Sequence, residues 1–113
     1  MNIVRIVFLF LLSTSFIVAQ TQDWANLNRY YAENENLGSP GKYEKRVVFM
    51  GNSITETWKN FQPDFFRGRS YINRGISGQT TPQMLIRFRQ DVIDLQPQVV
   101  VILAGINDIA ENT

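Results

Sequence analysis

Val47-Val48-Phe49-Met50-Gly51-Asn52-Ser53-Ile54-Thr55 is the stretch on which the reading of this chain turns. Four apolar residues, two of them β-branched, run without a polar interruption and stop at a glycine. Such a run is buried on both faces and marks a parallel strand rather than the alternating strand of a half-exposed sheet. Gly51 lets the backbone leave the strand sharply, and Ser53 then stands where a helix is predicted to open, over about 53–60.

Working outward, the same grammar repeats twice downstream. Residues 61–70 read as a loop containing Pro63 and Gly68, and Tyr71-Ile72-Asn73 as a short second strand that stops at Arg74-Gly75. Thr80 or Thr81 caps a helix with Pro82 at its first position, where proline is favoured. Leu85, Phe88, Val92 and Leu95 recur at helical spacing and mark its core face. Pro97 closes that helix, and residues 99–103 form a third strand, apolar at all five positions, ending at Ala104-Gly105. Strand and helix in alternation predict an α/β fold with a parallel sheet and helices on both faces. Three strands are half of a doubly wound sheet. A long apolar edge strand left unpaired is a feature proteins avoid, so the expectation is a fragment that folds poorly alone.

Upstream, Asp23 is a fitting N-cap for a helix over 23–36 with Trp24, Leu27, Tyr30, Tyr31 and Asn34 on one face, ended by Gly38-Ser39-Pro40-Gly41. Packing of these aromatics onto the sheet is a simpler role than a sugar-stacking platform. Likewise Phe61, Phe65 and Phe66 could line an acyl pocket, but core packing accounts for them equally well. Before that helix, a single positive charge at Arg5 precedes an apolar run from Ile6 to Leu12, with Ala19 at a small-residue position. Residues 1–19 thus read as a secretory signal peptide cut after Ala19. The run falls short of the ~20 residues a bilayer span needs, so no stable membrane anchor is expected and export to the periplasm or medium is. Residues 20–45 are then an N-terminal helix and lead-in, and residues 46–113 the main domain.

Loss of the leader removes one of eleven basic residues and none of ten acidic ones, leaving no net charge. That balance offers no electrostatic footprint for nucleic acid or an anionic membrane. The chain has no cysteine and no histidine; this excludes disulfides and argues against a zinc site, and it removes the usual attachment point of a bacterial lipoprotein.

Ligands of parallel sheets bind beyond the carboxyl ends of the strands. Three loops there carry glycine and small polar groups: Gly51-Asn52-Ser53-Ile54-Thr55, Gly75-Ile76-Ser77-Gly78-Gln79-Thr80 and Gly105-Ile106-Asn107-Asp108. Ser53 sits beside N–H groups of a helix N-terminus, which favour developing negative charge, although serine is also an ordinary N-cap. Gly78 can bring its N–H close to a bound oxygen, or simply make a turn. Asn107 has an amide to donate, or to stabilise its own loop. Together they supply a nucleophile and oxyanion donors.

These three blocks, in this order, resemble those of the SGNH/GDSL hydrolases, over residues 46–113. Gly51-Asn52-Ser53 is similar to the first block, G-D-S, with Asn52 for the commoner Asp. Asn73 to Thr80 looks like the second block, with its glycine at Gly78, and Gly105-Ile106-Asn107-Asp108 like the third, G-x-N-D. The resemblance implies a flavodoxin-like three-layer α/β/α sandwich, of which this chain is the N-terminal half. It implies Ser53 as nucleophile and an oxyanion hole from the Ser53 N–H, the Gly78 N–H and the Asn107 side chain. It also implies hydrolysis of carboxylic esters through an acyl-enzyme, with no metal or cofactor; short-chain small-molecule esters, acylated carbohydrates and lysolipids are all open as substrates. The family's last block, D-x-x-H, supplies the base and the group that orients it, and no histidine is present here. Asp108 is expected to bond loop groups rather than act as that base. The fragment alone is therefore expected to be inactive. The alternative is a non-catalytic binding module of the same fold. A nucleotide site fits less well, since neither G-x-x-x-x-G-K-[ST] nor G-x-G-x-x-G follows a strand.

Overall fold

The computed structural model describes residues 22–110; the leader expected over 1–19 lies outside them. Three parallel strands, β1 (Val47–Gly51), β2 (Tyr71–Gly75) and β3 (Val99–Leu103), form a sheet of order β2-β1-β3. Helices join them: α2 (Ser53–Phe61) and α3 (Pro63–Phe66) link β1 to β2, and α4 (Thr81–Asp91) with a 3-10 turn (Ile93–Leu95) links β2 to β3. Helix α1 (Tyr31–Leu37) precedes the sheet, and α5 (Ile106–Ile109) follows it. The α/β architecture expected from the sequence is what the chain adopts, and β1 is its central strand.

Side chains alternate across β1 and fill two separate layers. Phe49 points to one face and meets Trp58, Phe65, Phe66 and Tyr71 edge-on, with ring centroids 5.3–5.8 Å apart. Edge-to-face contacts of this kind are worth ~0.5–1.5 kcal/mol each beyond the area they bury. Phe65 and Phe66 thus pack in the core, whereas Phe61 is exposed. Val48 and Met50 point to the other face, against Ile72, Met84, Phe88, Val92 and Leu95. A fully buried side chain of this size contributes ~1.5–3 kcal/mol relative to an exposed one. Helices therefore cover β1 on both faces.

Several expectations need correction. The helix expected over 23–36 begins only at Tyr31. Asp23 does not cap it; its carboxylate accepts from the N–H of Leu27 and Asn28 and closes a turn. The segment stays non-helical because its carbonyls are taken by side chains of the α4 region. Ala25 O accepts from Gln79 Nε2, Trp24 O from Gln83 Nε2 and Leu27 O from Gln90 Nε2. Of its aromatics only Tyr30 is buried. Residues 61–70 are not all loop, since α3 occupies 63–66. Strand β2 continues to Gly75 because it pairs with β1 along its full length. Pro82 is the second helical residue of α4, not the first. Of the expected core face of α4 and the turn after it, Phe88, Val92 and Leu95 pack as expected, but Leu85 is 75% exposed and Met84, 4% exposed, takes its place. Arg87 and Asp91, four residues apart, share that buried face as an ion pair with a 2.9 Å separation.

Among the described residues strand β3 pairs with β1 alone. Its five apolar side chains are 36–58% exposed among the described residues, so the third strand is a sheet edge as expected from the sequence.

Candidate active site

The pairing register brings the three glycine loops to one level. Gly51, the last residue of β1, lies opposite Gly75 of β2 and Leu103 of β3. Each loop thus leaves the sheet at the same rim, with adjacent strands about 4.8 Å apart. Two of the glycines are demanded by space. A Cβ on Gly51 would stand 2.0 Å from Thr55 Oγ1, and one on Gly75 would stand 2.1 Å from the Glu56 backbone nitrogen. Helix α2 can fold directly over the strand ends only because those positions have no side chain.

Ser53 is the first residue of α2 and is half-buried. The residue before it, Asn52, is buried and caps the helix, its Oδ1 accepting from the Ile54 N–H at 3.0 Å. The Nδ2 of Asn52 has no partner among the described residues. Gly78 lies in an exposed turn at φ 76°, closed by the Gln79 N–H donating to Ile76 O at 3.4 Å. Positive φ at the third position of a four-residue turn is what a type II turn requires. Nothing stands within 4 Å of where a Gly78 Cβ would be, so backbone angle rather than space calls for glycine there. Asn107 lies in α5, and its Nδ2 donates to Gln79 O at 2.9 Å.

Polar contacts stitch the loops together. Between the first and second, Glu56 Oε2 accepts from the Ser77 N–H at 2.8 Å and from the Ser77 hydroxyl. The Ile76 N–H donates to Gly51 O at 3.0 Å. Between the second and third, the Asp108 carboxylate accepts from the Thr81 N–H at 3.1 Å and from Thr81 Oγ1 at 2.6 Å, beside the Asn107 contact. Asp108 is therefore engaged with loop groups, as the sequence suggested. The Thr81 hydroxyl is the main cause that holds the Asp108 carboxyl below its ordinary value. For Glu56, burial pushes upward, but the bonds from Ser77 and Arg29 outweigh it and the carboxyl lies below its ordinary value.

Beneath the loops lies a buried guanidinium that the sequence reading missed. Arg87 donates from Nη2 to Gly51 O at 3.2 Å and to Arg74 O at 2.9 Å, and from Nε to Gln79 Oε1 at 2.5 Å. It thus binds the carbonyls at the ends of β1 and β2 together with a side chain of the second loop. Desolvation pushes its pKa below the ordinary arginine value, and the contact with Asp91 supports the charged form. An Arg and an Asp four apart on a helix resemble a surface pair, which is why the sequence did not mark them. Glu56 was also missed, although it stands one helical turn after Ser53. No group of three or more potential metal-ligating side chains occurs among the described residues.

The arrangement has close relatives. The profile of the GDSL-like lipase/acylhydrolase family matches residues 49–113. A solved structure of a candidate acylhydrolase from Bacteroides fragilis NCTC 9343 superposes with a TM-score of 0.79 at 64% identity, over 81% of this chain and 44% of that one. A GDSL-like lipase from Bacteroides thetaiotaomicron VPI-5482 gives 0.76 at 63% identity, over 79% of this chain and 43% of that one. The uncharacterized lipoprotein YqeF of Bacillus subtilis (strain 168) is 33% identical over 87 residues, 65% of this chain and 36% of its own length. The chain spans less than half the length of each of these relatives.

Proposed function

The chain belongs to the GDSL-like lipase/acylhydrolase family, and from that premise we propose that it carries the nucleophile and oxyanion hole of an exported serine esterase. Ser53 Oγ attacks the carbonyl carbon of a carboxylic ester and forms a tetrahedral oxyanion. Collapse expels the alcohol and leaves an acyl group on Ser53, which water then removes as the free acid. The Ser53 N–H, the Gly78 N–H and the Asn107 amide receive the oxyanion, where a single donor of this kind is worth ~10²–10³ in kcat. A serine hydroxyl needs a base to take its proton. The chain has no histidine; in the family it resembles, that base belongs to a D-x-x-H block.

The observation that supports this reading best is the common rim. The loops bearing Ser53, Gly78 and Asn107 start level with one another and are tied by Glu56–Ser77, Asn107–Gln79 and Asp108–Thr81 contacts. Acyl or acetyl esters of carbohydrates and lysolipids are the substrate classes in view. Export is supported by the charged and apolar start of the chain and by a lipoprotein relative. No helix among the described residues is long and apolar enough to cross a membrane.

The test is hydrolysis of p-nitrophenyl acetate by the full-length protein and its Ser53→Ala variant. A loss of at least ~10³-fold in kcat is expected, in keeping with removal of a nucleophile. Equal measurable rates for the two proteins would remove Ser53 as nucleophile, and no hydrolysis by either would turn the assignment towards a non-catalytic binding module.

A further inference from the structure

The Ser77–Gly78 peptide has little to hold it in place. Ser77 and Gly78 are both exposed, and no atom stands within 4 Å of a Cβ built on Gly78. A turn with glycine at its third position passes between type I and type II by rotating its central peptide, here the one that bears the Gly78 N–H. Packing does not oppose that rotation, so polar contacts on either side of the peptide must. On the far side, Gln79 is fixed through its side chain to Arg87 and Ala25 O, and through its carbonyl to Asn107. On the near side, the contact is Glu56, whose Oε2 takes both protons that Ser77 can offer, from its N–H and its hydroxyl.

Glu56 is suited to that task by where it sits. It is three residues after Ser53 on α2, one helical turn along the same side. Its own backbone lies against Gly75, where a Cβ would come within 2.1 Å of its nitrogen. The second loop is therefore gripped twice by one residue, through the backbone at its start and through the carboxylate two residues on. Arg29 Nη2, 3.5 Å from Oε1, holds the other carboxylate oxygen more loosely. Bonds to an ionised carboxylate are about twice as strong as neutral ones. This one ties the helix that begins with the nucleophile to the loop that bears an oxyanion donor.

We propose that Glu56 is a positioning residue for ester hydrolysis: it clamps Ser77 so that the Gly78 N–H stays directed at the oxyanion. The proposal rests on the reading of Ser53 as nucleophile and of Gly78 as oxyanion donor. Glu56 itself touches no reacting atom. Its removal should act on the transition state, where the oxyanion exists, and leave ester binding nearly untouched.

The experiment uses the full-length protein, p-nitrophenyl acetate, and active sites counted by the burst with a fluorophosphonate, so that kcat refers to folded enzyme. Ser53→Ala serves as the control for the underlying assignment. Glu56→Ala is expected to lower kcat ~10–100-fold, less than loss of a whole donor, with KM within about twofold of the parent. Glu56→Gln keeps a carbonyl acceptor for the Ser77 N–H and should recover most of the rate. Ser77→Ala, which removes one of the two bonds, should fall between parent and Glu56→Ala, and the double variant should be no slower than Glu56→Ala alone. If Ser53→Ala abolishes turnover while Glu56→Ala leaves kcat unchanged, the clamp is wrong and the esterase assignment stands. Equal losses in Glu56→Gln and Glu56→Ala would also overturn the clamp. An active Ser53→Ala would overturn the assignment and the clamp with it. Should Glu56→Ala fail to fold, Ser77→Ala decides, and an unchanged kcat there refutes the proposal.

Discussion

Replacing Gly75 by alanine tests how closely α2 is seated on the strand ends. A Cβ there would lie 2.1 Å from the Glu56 nitrogen, 2.7 Å from its Cα and 2.7 Å from the Thr55 carbonyl carbon. All three are backbone atoms of a helix, so no side chain can swing aside. Ordinary contact needs about 3.5 Å, and the first turns of α2 would have to retreat by about 1.4 Å. Forcing extra volume into a packed site costs ~1–3 kcal/mol. For a chain of this size each kcal/mol corresponds to about 4 °C in Tm. Ser53 heads the displaced helix, and a shift near 1 Å at a reacting group is worth ~10²-fold in rate. Thermal unfolding and ester hydrolysis should be measured on the full-length protein carrying Gly75→Ala. Gly41→Ala serves as the control, since nothing lies within 4 Å of its Cβ position. Gly75→Ala with Tm and kcat both equal to those of the control would refute the argument that α2 touches the end of β2.

Other consequences follow from the buried network and the corrected core. Arg87→Ala leaves the buried Asp91 carboxylate without its ion-pair partner and takes a donor from the carbonyls of Gly51 and Arg74. It should cost ~3–5 kcal/mol in urea unfolding, whereas an Arg87→Met, Asp91→Leu pair should cost much less; equal costs would contradict the charge argument. Asp108 is held below its ordinary value chiefly by the Thr81 hydroxyl. A carboxyl depressed on folding stabilises above its unfolded pKa of ~3.9 and loses that contribution as pH falls through the lower folded value. Carboxyl carbon NMR should find Asp108 titrating below that reference, and Thr81→Val should move it upward; an unmoved titration would oppose this. Met84→Ala should cost ~2–5 kcal/mol, while Leu85→Ala should stay within about 0.5 kcal/mol, as chemical denaturation will report.

The parts of this fold that could be read from sequence are those whose causes are local. The runs at 47–50 and 99–103 declare buried strands through β-branched content, and the glycine-rich loops after them mark the rim. What escaped depends on partners far along the chain. Asp23 is a good cap by residue type, yet the segment after it forms turns because Gln79, Gln83 and Gln90 take its carbonyls, more than fifty residues away. On α4 the spacing placed Phe88, Val92 and Leu95 in the core correctly, but it put Leu85 there in place of Met84 and passed over Arg87 and Asp91, which are buried although neither is apolar. Their purpose is visible only when Gly51 O, Arg74 O and the Gln79 side chain are found converging on one guanidinium. For the candidate site, Ser53, Gly78 and Asn107 stood out as small polar groups after strands. Glu56, on a helix surface, carried no such mark.

The most direct test of the central claim is covalent labelling of the full-length protein with a fluorophosphonate, followed by peptide mass spectrometry. The account predicts one phosphonyl adduct, on Ser53, formed in step with loss of esterase activity and absent from Ser53→Ala. An adduct on another residue, or full inactivation of Ser53→Ala by the same reagent, would contradict it.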